Sequence, residues 1–353
     1  MFIADSWARR LAPLFNLRRP HFGQAVTWVL LYTALALAPN VCTVGPGAGR
    51  AADAATVLSP LPATVLSLPL LFSSCRRVLV LGAVLWACRL LIPWSCWITL
   101  LAFTATISIC FENRSHISHL YNITNMLLLI HAMWYHFYRK DIRAALSAGT
   151  FWESPLYPAW AFGLSVFYIG LFHTWAGATK LLTSGPGWAN GLSLQLWVYL
   201  WGDPTSPLRE FIISNRWAAQ GLQAMTLAVE TSALLVCPFR RLRVLVGASL
   251  LGLYIGMVSV FGYYGFYYNA LFVVLFFLPI ERGMAALHGF MIRVRTRFSF
   301  GLPTHLFARI AAALMLYAIL KIGSSFSVVM MVVFVCFLCL KGVAEQRGRS
   351  EGV

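Results

Sequence analysis

Charged and imidazole side chains inside apolar runs are the residues of this chain most able to do chemistry, because an ionisable group in hydrocarbon is costly to keep without a use. His173 and Lys180 stand seven apart, hence on one helix face, and small Ala176 and Gly177 between them leave room for a ligand. Burial would favour the neutral amine of Lys180, a competent base, whereas its place at the outer end of the run also suits a lysine that snorkels to the interface. Gln220, Gln223 and Glu230 share a second face at spacings of three and seven. Glu230 needs a partner there, either as a structural ion pair or interhelical hydrogen bond, or as a group that tunes Lys180. A third polar stretch runs from Asn113 to Asn125 and holds His116, His119 and Asn122, with His131 further along the same run. His116 and His119 have no Asp or Cys close by to complete a metal site, so no metal is assigned. The glycosylation sequons at Asn113 and Asn122 are short matches of the kind that chance supplies.

The elements that carry these residues follow from composition. Of 353 residues, 59% are hydrophobic and 11% charged, against about 25% charged in soluble domains. No window of domain size has the charge to coat a water-facing surface, so lipid must solvate most of the chain. The net charge of +16 comes from short Lys and Arg clusters between apolar runs. That pattern fits membrane topology and gives no basic face for nucleic acid. Cys336 and Cys339 lie inside a continuous apolar run and read as packing residues rather than a redox pair. No P-loop, Rossmann glycine fingerprint, His-Glu-x-x-His or nucleophile elbow occurs.

Apolar runs at 24–40, 78–93, 95–111, 119–138, 158–180, 217–237, 244–260, 262–279, 305–322 and 325–340 predict an all-α integral membrane protein, a polytopic bundle of about ten spans. Residues 54–73 are apolar but carry Pro60, Pro62 and Pro69, which predicts a re-entrant or interfacial piece. With a cytoplasmic N-terminus, seventeen Lys and Arg fall inside and seven outside, Arg76 and Arg77 being the dissenting pair. Both termini are then cytoplasmic in a cell-membrane protein. The expected organisation is a basic N-terminus (1–23), a membrane domain (24–280), a basic loop (281–304), two further spans (305–341) and a tail (342–353). The N-terminal arginines resemble a signal peptide, but no small-residue cleavage site follows, so an uncleaved first helix is expected. The longest external segment, about 181–216, turns at Gly185-Pro186-Gly187. Trp188, Leu192, Leu196, Trp197, Leu200 and Trp201 then recur near helical spacing, as in an external helix lying in the interface near 188–201. Gly247, Gly252 and Gly256 read as close helix packing.

At these same residues the chain resembles the HTTM family, the membrane domain shared by the vitamin K-dependent gamma-carboxylase and bacterial SdpB-type proteins. Ala176-Gly177-Ala178-Thr179-Lys180-Leu181, followed by Trp188-Ala189-Asn190-Gly191, is similar to the carboxylase's Ala-Gly-x-x-Lys-Leu segment and the Trp and Gly after it. The Asn113–Asn125 stretch and Glu230 are looser matches, and together they cover roughly residues 20 to 280. The resemblance implies that Lys180 is a base acting on a reduced quinone, which with oxygen yields a strong base. It implies a histidine near the substrate at His119, or His116 if the local register slips. His173 joins the catalytic set, and His116, Asn122, Trp188, Gly191 and Glu230 the substrate-binding set. Two departures stand against glutamate carboxylation. The chain runs only about 70 residues past the Glu281 turn, without the carboxylase's lumenal domain, and a histidine of bacterial relatives is replaced by Tyr254.

Two classes of function are expected. The first is a membrane enzyme, quinone- or oxygen-using, that modifies an exported peptide or small molecule. The second is a non-catalytic scaffold, export or immunity component, or lipid-binding protein. A Lys180 that faces a bound molecule supports the first. A Lys180 closed onto Glu230 or turned to the interface supports the second.

Overall fold

The computed structural model describes residues 22–40, 69–113, 120–147, 157–262 and 266–279. Among these the chain is all-helical, with eleven α-helices, one short 3-10 turn and no strand. The described residues divide into two compact units, one within Arg18–Tyr157 and one within Pro158–Arg282. The first holds α1 (Phe22–Asn40), α2 (Pro69–Ala87), α3 (Trp94–Asn113), α4 (Leu120–Phe137) and α5 (Arg139–Ser147). The second holds α6 (Ala159–Ser184), the 3-10 turn Gly185–Ala189, α7 (Leu192–Trp201), α8 (Pro207–Ser214), α9 (Arg216–Val236), α10 (Arg240–Phe261) and α11 (Phe266–Phe277).

Among the described residues, three stretches are long and apolar enough to cross a membrane: Leu70–Ala87, Ala159–Ala189 and Arg241–Phe261, of 18, 31 and 21 residues. At 1.5 Å per residue, even the shortest reaches about 27 Å, close to the hydrocarbon thickness of a bilayer. Their outer faces carry bare apolar side chains such as Leu164, Phe167 and Trp175 on α6 and Leu242 and Leu245 on α10. Water would penalise that surface and lipid does not, so the chain is a membrane protein. Ala25–Leu35, Trp94–Ile109, Leu192–Trp201 and Tyr268–Phe277 are apolar but shorter.

One expected boundary is corrected. The span predicted at 78–93 is α2, which begins at Pro69, and Arg76 and Arg77 lie within the helix rather than in an external loop. Proline suits a first helical position because its missing N–H has no acceptor there anyway. Two arginines end an apolar run but not a helix, and Arg76 stacks over Phe72 one turn back, 5.6 Å from the ring centre. Residues 69–73 of the supposed re-entrant piece are thus the first turn of α2. Its remainder, the spans at 305–322 and 325–340, the loop 281–304 and both chain ends lie outside the described residues.

The second unit is organised by the contact of α6 with α9. In a membrane, small residues rather than hydrophobicity bring helices together. Gly170 and Gly177, two turns apart on α6, meet α9 so closely that a Cβ on Gly177 would stand 2.8 Å from the Thr231 backbone nitrogen, and one on Gly170 would stand 3.2 Å from the Leu234 Cα. Between them, the Thr174 hydroxyl donates to the Glu230 carbonyl at 3.2 Å and accepts from the Leu234 N–H at 2.9 Å. It bridges one step of the α9 ladder. Of the three α10 glycines expected to mark close packing, Gly247 does so, against Phe277; Gly252 and Gly256 meet no neighbour among the described residues.

α7 and α8 are held by a small core of Val198, Ile212, Ala219 and Val260. Ser206 and Asn215 cap α8 and α9 by accepting from the Arg209 and Ala218 N–H groups. The joining loop is fastened to α10 by Ser206 Oγ donating to Ser259 O and by the Asp203 N–H donating to Val260 O. The Thr205 hydroxyl and N–H both donate to Asp203 Oδ1, holding that carboxyl below its ordinary range. If the α6–α9 approach depends on its glycines, Gly177→Leu should cost about 1–3 kcal/mol through forced separation. Gly163→Ala, where a Cβ meets nothing, should be neutral or stabilising by up to about 1 kcal/mol. Thermal unfolding of both variants in detergent checks this, and equal midpoints would contradict it.

Candidate functional site: a lysine and glutamate couple on facing helices

The α6–α9 approach sets the site. One turn after Gly177, Lys180 Nζ donates to Oε2 of Glu230 on α9. The Lys180 side chain is 26% exposed and that of Glu230 only 9%, so the pair opens on the lysine side. Past the lysine the chain reverses at Gly185, whose φ of +59° lies in the left-handed region glycine tolerates. The 3-10 turn then lays Trp188 beside the amine, its ring centre 4.9 Å from Nζ, a cation–π distance. Lys180 is thus held by an acid from α9 and an indole from the turn.

His173, two turns before Lys180, is buried, and its Nε2 stands 3.2 Å from the hydroxyl of Tyr254 on α10. His173 and Tyr254 thus make a second buried polar pair below the lysine and glutamate. Asn269 of α11 stands next to the Tyr254 hydroxyl, 1% exposed, and neither polar atom of its carboxamide makes a well-formed hydrogen bond.

Gln223 positions the start of α7. Its Oε1 accepts from the Gly191 N–H at 2.7 Å and its Nε2 donates to Ser193 Oγ at 2.8 Å. Asn190 Oδ1 accepts from the Ser193 N–H at 3.2 Å, capping the same helix. Gly191 has φ +83°, and a Cβ there would lie 2.8 Å from the Arg216 carbonyl oxygen. It lets the turn seat against α9.

The structure therefore brings together Lys180, Glu230 and Trp188, places His173 one layer deeper, and gives Gly191 a backbone role. Asn122 is exposed on α4, in the other unit. His116 and His119 lie outside the described residues. Sequence reasoning missed Asn269 and Thr174, and it read Tyr254 only as a departure. A lone amide in the run Phe266–Phe277 was visible by the same criterion that singled out Glu230. Among the described residues no group of three or more His, Cys, Asp or Glu converges.

An ammonium and a carboxylate in direct hydrogen bond can pass the proton between them, leaving a neutral amine and a carboxylic acid. In an apolar setting the ionic form loses the solvation that favours it in water, which narrows the gap between the two forms. The couple can therefore act as one acid–base unit.

Among the described residues, fold and site together define an all-helical membrane protein with a lysine–glutamate couple at the end of a helix long and apolar enough to cross the bilayer. Comparison with family models, with curated proteins and with solved structures gives no match for this chain.

The two charges should be strongly coupled. In a double-mutant cycle, Lys180→Met and Glu230→Met should each destabilise, and the pair together should cost less than their sum by about 0.5–3 kcal/mol. Additive costs would show that the ion pair contributes nothing beyond its separate parts.

Proposed function

We propose that this chain is an HTTM-type multi-pass membrane protein that modifies an exported peptide or a small molecule, using the Lys180–Glu230 couple as its acid–base unit. The observation that carries the reading is the pairing of Lys180 with Glu230 beside Trp188, with His173 and Tyr254 in contact two turns deeper. Lys180 takes a proton from the substrate once its own has passed to Glu230. Trp188 offers a flat face beside the amine, which suits a reduced quinone stacked there. When bound, such a quinone supplies a strong base through its reaction with oxygen. Charge asymmetry of the loops puts this end of α6 on the outer face of the cell membrane, with both termini cytoplasmic and about ten spans in all. The bilayer is then its permanent partner, and α7 lies along its surface with Leu196, Trp197, Leu200 and Trp201 bare.

One observation favours the second class. Lys180 is closed onto Glu230 and covered by Trp188, as a structural tie between α6 and α9 would be. On that reading the protein is a scaffold, an export or immunity component, or a lipid-binding protein.

The two readings separate at one position. With purified protein, a reduced naphthoquinone and oxygen, the enzyme reading predicts quinol-dependent oxygen uptake that falls at least a hundredfold in both Lys180→Ala and Lys180→Arg, because a guanidinium keeps its proton. The structural reading predicts no uptake by the wild type and near-normal stability for Lys180→Arg. For the interfacial helix, lipids brominated near the headgroup should quench Trp197 and Trp201 more than lipids brominated at the chain ends. The reverse order would place α7 elsewhere.

A further inference from the structure

A second polar node lies in the unit within Arg18–Tyr157. His131 of α4 is fully buried, and the ring centres of Trp134, Tyr135, Trp86 and Tyr157 stand 4.8, 5.1, 5.5 and 5.7 Å from its own. Proton counting fixes its tautomer. The single hydroxyl proton of Thr27 goes to the Gly23 carbonyl at 2.8 Å. The Thr27 oxygen must therefore accept across its 2.7 Å contact with His131, so Nε2 carries the ring proton. In the neutral ring Nδ1 is then a lone pair, and it has no partner. The indole N–H groups of Trp86 and Trp134, which can only donate, are buried without partners as well. One acceptor and two donors are left unmet around a single imidazole, on side chains 0%, 0% and 5% exposed for His131, Trp86 and Trp134. Buried polar groups are seldom left so, and three on adjoining rings ask for a common partner.

We propose that this node binds a hydroxyl group, its proton donated to His131 Nδ1 and its oxygen accepting from the indole N–H of Trp86 or Trp134. A hydroxyl has one proton to give and two lone pairs to receive. A carbonyl or carboxylate oxygen would leave Nδ1 unmet, and an ammonium would leave both indoles unmet. The walls are aromatic and close: a Cβ on Gly23 would stand 2.7 Å from the Trp134 ring. The hydroxyl therefore arrives either as a single water or on a slim flat body such as a phenol. None of these residues belongs to the lysine–glutamate couple, so the proposal stands apart from the function argued above.

The test uses the full chain in detergent with ring-¹⁵N-labelled histidine, and the probes phenol and toluene, which are alike in shape and differ by a hydroxyl in place of a methyl group. His131→Gln assigns the His131 resonances. Phenol binding at least tenfold tighter than toluene, weakened at least tenfold by Trp134→Phe or Trp86→Phe, supports the node and identifies an apolar hydroxyl ligand. Phenol and toluene binding alike or not at all, with Nδ1 at the shift of a hydrogen-bonded acceptor, supports the node with water as its occupant. An Nδ1 at the shift of a free acceptor, with no preference for phenol, overturns the proposal. The NMR reading is made on the wild type, so a variant that fails to fold does not remove it.

Discussion

The close approach of α6 to α9 is the constraint on which the rest of the site depends. Gly170 and Gly177 give up their side chains so that the two backbones can touch, and Thr174 fills the interval by joining the α9 ladder through its hydroxyl. Lys180 follows one turn later, at the level where Glu230 faces it. A wider crossing would leave a carboxylate, already 9% exposed, without its partner in an apolar surrounding. That is a larger cost than the pair itself returns. The turn at Gly185 and the seat of Gly191 on α9 then carry Trp188 back over the amine, so the covering indole is also a consequence of the same contact.

Electrostatics and packing are coupled here in a way that a water-soluble fold would not require. An exposed ion pair adds little in water, since each charge is well solvated alone. Between closely packed apolar helices the alternative to pairing is a buried charge without a partner, so the pair specifies which helix faces which even if it adds no net stability. The difference in exposure between the two partners matters chemically. Glu230 is the fixed, buried end and Lys180 the end open to an incoming group, which is the order an acid–base couple needs if the amine is to meet a substrate.

The face shared by His173 and Lys180, and the one shared by Gln223 and Glu230, were legible because helical spacing alone aligns them. The apolar runs likewise located eight of the described helices, and the aromatic pattern after Gly185 located α7, whereas the short polar helices α5 and α8 gave no apolar run to find. The α2 boundary was not legible, because an apolar run stops at a charge while a helix stops only where its hydrogen bonds do. Arg76 and Arg77 therefore hid the first two turns of α2. Equally hidden was the difference between Gly247, which touches Phe277, and Gly252 and Gly256, which meet none of the described residues, since spacing gives a face but not what stands opposite. Gly191 carried weight in the sequence as part of a motif; its visible work is to let a turn lie against the Arg216 carbonyl. Asn269 was readable in principle, being the single amide in α11, but only tertiary packing sets it beside Tyr254.

The lysine–glutamate couple and the His131 node show two ways of placing polar groups among apolar helices. In the first, opposite charges satisfy each other. In the second, the outer members of the network are joined, Arg89 to Tyr135 and Thr27 to Gly23, while the atoms at its centre are the unmet ones. A closed pair is explained by the structure it ties together. An open centre is not explained that way, because any apolar side chain of the same shape would avoid the unmet hydrogen bonds. The unmet Nδ1 of His131 and an indole N–H beside it are therefore better accounted for by a partner that joins them than by packing alone.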